Sequence, residues 1–194
     1  MLDIVIQKVK SVITDPKGFF QKLKKEKGVG DAFVFIALLS VISLVGGIIV
    51  NILMPQPQLE GFEQLATPLG AGAIVIASVV GYFLGLALSF VWAGILHIWI
   101  MIWGGRAPYS KTYQLAAYAS TPSMLFGWIP FIGMFAGIYA LILLIMGTPK
   151  THNISMKRSL WLYLVPVAVL ILLGILLFGA AMMLLFSAGE MSQF

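Results

Sequence analysis

The sequence predicts an all-α, polytopic membrane bundle of five transmembrane helices, preceded by short amphipathic interfacial helices. Three observations lead there. Hydrophobic residues make up 60% of the 194-residue chain and charged residues only 10%, with a mean hydropathy of +1.02, whereas a soluble domain is about 45–50% apolar and about 25% charged. Apolar stretches near or above the ~20 residues that cross a hydrocarbon core recur along the chain. The basic residues gather in alternate connecting segments, as they do in cytoplasmic loops.

Residues 1–30 form a basic N-terminal segment. Leu2, Val5, Ile6, Val9, Val12 and Ile13 share one helical face, with Lys8 and Lys10 opposite. A second short helix is expected over residues 16–27: Asp15 caps it, Pro16 takes its first position, and Gly28 ends it. Phe19, Phe20 and Leu23 give it an apolar face ringed by lysines. Such helices lie in the headgroup plane and favour anionic lipid. No basic stretch leads into an apolar core here, so a cleavable signal is not expected.

Residues 31–187 carry the spans. The first is 31–54, followed by a polar loop holding Pro55, Pro57, Glu60, Glu63 and Pro68. The apolar run 69–103 exceeds one crossing, so it must tilt, project or break near its glycines. Residues 113–146 are interrupted only by Gly127-Trp128-Ile129-Pro130, which fits two short helices and a tight turn. Residues 160–186, with Pro166 near the start, are the fifth span, and 188–194 form a short tail.

Seven lysines precede the first span, Arg106 and Lys111 follow the second, and Lys150, Lys157 and Arg158 follow the fourth, while the other connections carry no base. Five crossings therefore place the N-terminus in the cytoplasm and the C-terminus outside. A re-entrant third and fourth segment satisfies the same rule, and Trp128 at the turn favours full crossing. The net charge of +5 points by this distribution to anionic headgroups and not to nucleic acid.

In the second span Ala73, Ala77, Gly81, Gly85, Ser89 and Ala93 recur every four residues, with His97 next. Small residues at this spacing allow close helix approach within the bundle or between copies; the other reading is a groove for lipid or substrate. The chain has no cysteine, which excludes disulfides and thiolate chemistry. No Asp, Glu, Lys or Arg lies inside the five span cores, and no phosphate-binding loop, zinc helix or nucleophile–histidine–carboxylate set is legible. No catalytic residue and no cofactor are expected. His97 and His152 are the weak metal candidates, lacking evident carboxylate partners.

Three stretches resemble the Yip1-domain family of five-span membrane proteins. DPKGFFQKL, with Pro16, Phe19 and Phe20, is similar to the family's pre-membrane segment. LHIWIMIWGGRAPYSKTYQLAAYASTP carries His97, Gly104, Gly105, Arg106, Tyr118 and Pro122. WIPFIGMFAGIYALILLIMGTPKTHNISMKRS resembles the fourth span and its basic loop, with His152. The resemblance implies a non-enzymatic organiser of membranes or of membrane-protein partners, acting in ER–Golgi traffic in eukaryotic members. The short N-terminal segment is closer to prokaryotic members, whose activity is generally unassigned. From the residues, self-association through the small-residue stripe is the first reading. A small transporter or channel for a lipid or metal ion is the second, because Pro122 and Pro166 free backbone carbonyls within spans.

This orientation has a direct check. Asn153-Ile154-Ser155 is a glycosylation acceptor pattern on the cytoplasmic side, so in a eukaryotic expression host a gel-shift assay should find it unmodified.

Overall fold

The computed structural model describes residues 2–54 and 70–191 and is helical along nearly all of them. Its elements are α1 (Leu2–Thr14), α2 (Pro16–Lys22) running into a 3-10 turn (Leu23–Lys25), α3 (Gly30–Leu53), α4 (Ala71–Ile102), α5 (Tyr109–Ala119), α6 (Thr121–Phe126), α7 (Ile132–His152) and α8 (Met156–Met191). The acidic loop with Glu60 and Glu63 and the last residues of the tail lie outside the described residues.

Among the described residues four helices, and not five, are long and apolar enough to cross a membrane: α3, α4, α7 and the Met156–Met183 part of α8. The third expected span is divided. α5 has 11 residues and α6 has 6, parted at Ser120, because Pro122 enters as the second residue of α6 and cannot continue the ladder of α5. The long second run does not break at its glycines. It is one helix of 32 residues, about 48 Å at 1.5 Å per residue.

The core sits at one end of the bundle. Phe20, Leu23, Phe35, Leu39, Ala93, Ile100, Leu115, Tyr118, Leu143 and Leu162 form one buried cluster there. α5 is its axis, packed against α3, α4 and α7, and nearly every residue from Thr112 to Ala119 is buried. Away from this end the helices separate, and α8 is exposed over residues 168–183. The N-terminal helices are docked on the bundle. Val12, Phe20 and Leu23 belong to the core, and α1 and α2 pack on α6 and α7.

Proline sets a recurring problem for this packing. Each one inside a helix removes the N–H that would reach the carbonyl four residues back, and an unpaired carbonyl in apolar surroundings is costly. Pro149 in α7 frees Ile145 O, which accepts from Ser159 Oγ of α8 at 2.7 Å. Pro166 in α8 frees Leu162 O, which accepts from Trp99 Nε1 of α4 at 2.9 Å. Pro122 leaves Tyr118 O to Thr121 Oγ1 at 2.7 Å. Two of the three repairs join different helices, so they tie α8 to α7 and α4.

Trp99→Phe keeps the ring and removes the donor to Leu162 O. It should lower stability by about 1–3 kcal/mol, the cost of leaving a buried acceptor unpaired, when thermal unfolding is followed in detergent. Trp92→Phe, at an exposed position of the same helix, should leave the transition in place.

Candidate functional site

Three groups of residues are the candidates for a functional site. The first holds the N-terminal segment. Asp15 Oδ1 accepts from Gly18 N at 3.0 Å, and Pro16 opens α2. Phe19 and Phe20 meet edge-on at 5.5 Å, and Phe19 stands against the Tyr118 ring at 5.0 Å. Lys8 turns inward from the face where α1 was expected to hold it against lipid headgroups. Its ammonium donates to Glu26 Oε2 at 3.2 Å and to Tyr118 OH at 2.6 Å, and Tyr118 OH donates to Glu26 Oε1 at 2.6 Å.

Helix α2 also stops short of the expected residue 27. Lys111 Nζ donates to Leu23 O at 2.6 Å and to Glu26 O, and Gln114 Nε2 donates to Gly28 O at 2.6 Å. These carbonyls are thus committed to α5, and Gly28 turns the chain at φ +69°. Burial lowers the Lys111 pKa below the usual lysine value, while the Glu26 charge draws it back up.

The second group joins the two histidines across the sequence. Thr112 Oγ1 lies 2.8 Å from His97 Nδ1 and 3.0 Å from His152 Nε2. One hydroxyl donates once, so one ring nitrogen accepts from it and the other donates to it as N–H. Thr112 and His152 are wholly buried, and His152 Nδ1 has no partner among the described residues. Gly105 admits the imidazole: a Cβ there would sit 2.6 Å from Ile100 Cγ2 and 3.1 Å from His152 Nδ1. Gly104 turns the chain at φ +91°, and Arg106 is exposed. Among the described residues no three His, Cys, Asp or Glu side chains gather to hold a metal.

The third is a groove of about 720 Å³ between α3, α4, α5 and α7. Gly81, Gly85 and Ser89 line one side, while Ile36, Ser40, Ser43 and Leu44 face them from α3. Ala77 is not part of the lining and is exposed. A Cβ at Gly81 or Gly85 would meet nothing within 4 Å, so among the described residues these glycines make no close helix contact and instead leave space. Among the described residues no charged side chain lines the groove. Most of its hydroxyls donate to helix carbonyls: Ser40 and Tyr82 to Ala37 O, Ser43 to Met124 O, Ser89 to Leu86 O and Ser120 to Ala117 O. What remains is an apolar surface.

Helices of this length and apolarity, packed through one buried end, define a multi-pass helical membrane protein. The Yip1-domain profile matches residues 10–178, and the chain belongs to the Yip1-domain family. No curated protein and no solved structure matches it significantly.

Of the residues singled out by sequence, Phe19, Phe20 and Tyr118 meet in one cluster, His97, Gly105 and His152 in another, and Gly81, Gly85 and Ser89 along the groove. Pro122 is buried behind Tyr118. Thr112, Glu26, Trp99 and Ser159 carry as much of the arrangement and were not anticipated. The one sequence signal for them is chemical: a polar group near an apolar helix needs a partner.

Thr112→Val preserves shape but leaves two imidazole nitrogens without their shared hydroxyl. Thermal stability in detergent should fall by about 1–3 kcal/mol, and Thr112→Ser should restore most of it.

Proposed function

We propose that the protein is a non-enzymatic organiser of membrane, residing in the cell membrane (or the ER and Golgi membranes in a eukaryote) with its N-terminus cytoplasmic and its C-terminus outside. It acts through lipid and helix contacts. The exposed lysines of the N-terminal segment meet anionic headgroups of the cytoplasmic leaflet. The groove holds an acyl chain of the surrounding bilayer, and the exposed faces of α4 and α8 provide contacts for a second copy or a membrane-protein partner.

One observation carries this reading: the groove is large, lined by no charged side chain among the described residues, and most of its hydroxyls donate to helix carbonyls. An ion or a polar substrate would need several donors or acceptors to replace its water, whereas an acyl chain needs none. The transporter reading rested on the carbonyls freed by Pro122 and Pro166. Thr121 and Trp99 occupy both, which removes its main support.

The test is photocross-linking from a phosphatidylcholine that carries its reactive group mid-chain. Gly81→Leu with Gly85→Leu fills the groove and should cut the adduct several-fold in proteoliposomes. If the adduct is unchanged while a cross-linked dimer disappears, the groove is a subunit interface and not a lipid site.

A further inference from the structure

The groove has walls of definite length, and those lengths bear on what fills it. From Ile36 to Asn51 the α3 wall rises about 22 Å, and from Ser78 to Leu96 the α4 wall rises about 27 Å, at 1.5 Å per residue. One leaflet of a hydrocarbon core about 30 Å thick offers about 15 Å. The groove therefore outruns a leaflet, and a chain that follows it to the end passes the depth at which its neighbours stop.

Its two ends differ. Toward the packed core it is closed: Ile36, Leu96, Tyr113 and Ala117, all lining it, are 6%, 8%, 1% and 0% exposed. Tyr113 is fixed as the end wall. Its ring stacks on Phe90 at 4.6 Å, and because Ser89 Oγ donates to Leu86 O, Tyr113 OH donates to Ser89 Oγ at 3.0 Å. Toward the other end the groove opens. Asn51 and Gly81 are exposed there, and a Cβ at Gly47, Gly81 or Gly85 would meet nothing within 4 Å. Leu88 and Trp92 are 59% and 65% exposed along one edge, so a chain enters sideways from the bilayer.

Width selects among occupants. Spread over these walls, the 720 Å³ of the groove leave a mean cross-section of about 30 Å², whereas a helix about 10 Å across takes roughly 80 Å². A helix of a second copy therefore does not fit between the walls as they stand. A hydrocarbon chain, with carbons in contact at about 4 Å, does. An extended chain advances about 1.2 Å per bond, since the three bonds of an extended residue span up to about 3.6 Å. Walls of about 22–27 Å are matched by about 18–22 bonds.

From these we infer that the groove selects chains by length: it takes an extended acyl chain of about 18–22 carbons, with its terminal methyl against Tyr113 and its ester end toward Asn51 and Gly81. A shorter chain leaves the closed end empty, and the side chains around the void lose their contacts. A longer one meets Tyr113 with its ester still beyond the open end. This selectivity rests on the acyl-chain reading given above and goes past it, naming which chains bind and which way they lie.

The test is a series of phosphatidylcholines that differ in one chain, from about 12 to about 26 carbons, each with a diazirine on the terminal carbon of that chain. Adducts on groove residues are measured and mapped by mass spectrometry after irradiation of the full chain in proteoliposomes. Yield should peak at about 18–22 carbons and fall several-fold toward both ends of the series. At the peak the label should sit on Leu96, Tyr113 or Ala117. Ala116 lines the same wall, half-buried and about one turn from Tyr113 toward the open end. Ala116→Leu should move the peak to chains about four carbons shorter, and the unmodified protein tests the selectivity without it. A yield indifferent to chain length, or a terminal label on Gly81 and Gly85 at every length, would overturn the inference and leave the acyl-chain reading in place. No adduct at any length would overturn both.

Discussion

The packed end of this protein depends on one constraint: backbone carbonyls in apolar surroundings must find donors, and helix geometry alone does not supply them all. Three prolines and one non-helical connection create the shortfall. Ser159, Trp99 and Thr121 answer the prolines, and Lys111 and Gln114 answer the connection at Leu23, Glu26 and Gly28. Helix order follows from those bonds. α8 is fixed to α4 and α7 through its first turns, and the N-terminal segment is fixed to α5.

The same constraint explains why the groove is apolar although many of its residues are not. Ser40, Ser43, Ser89, Ser120 and Tyr82 use their hydroxyl protons on nearby carbonyls, so they contribute shape and little polarity. Glycine at 81 and 85 adds volume. Polar chemistry is instead concentrated above the groove, in the Thr112-bridged histidines and the Lys8–Glu26–Tyr118 cluster, where it couples distant segments of the chain. His152 Nδ1, without a partner among the described residues, lies in this upper layer and not in the groove.

Much of the architecture was legible in the sequence, because apolar length and basic asymmetry are set by the bilayer. Residues 31–54 and 69–103 correspond to α3 and α4 within about two residues at each end. The Asp15-Pro16 start of α2 and the turn at Gly127–Pro130 were legible for local reasons of capping and proline geometry. The division of α5 from α6 was only half visible, since Pro122 marks a break but not whether the parts realign. The docking of the N-terminal helices was hidden, because Lys8 reads as a solvent-facing charge until Glu26 and Tyr118 are brought to it. The glycine stripe read equally well as contact or as space; only the placement of α3 and α5 shows that Gly81 and Gly85 leave space.

The central claim is that this space belongs to lipid. A cryo-EM structure in nanodiscs of defined phospholipid tests it most directly. The expected result is continuous, chain-shaped density running past Gly81 and Gly85 between α3 and α4, with no ion density in the groove. A groove closed by α4 against α5, or filled by a helix of a second copy, would contradict it.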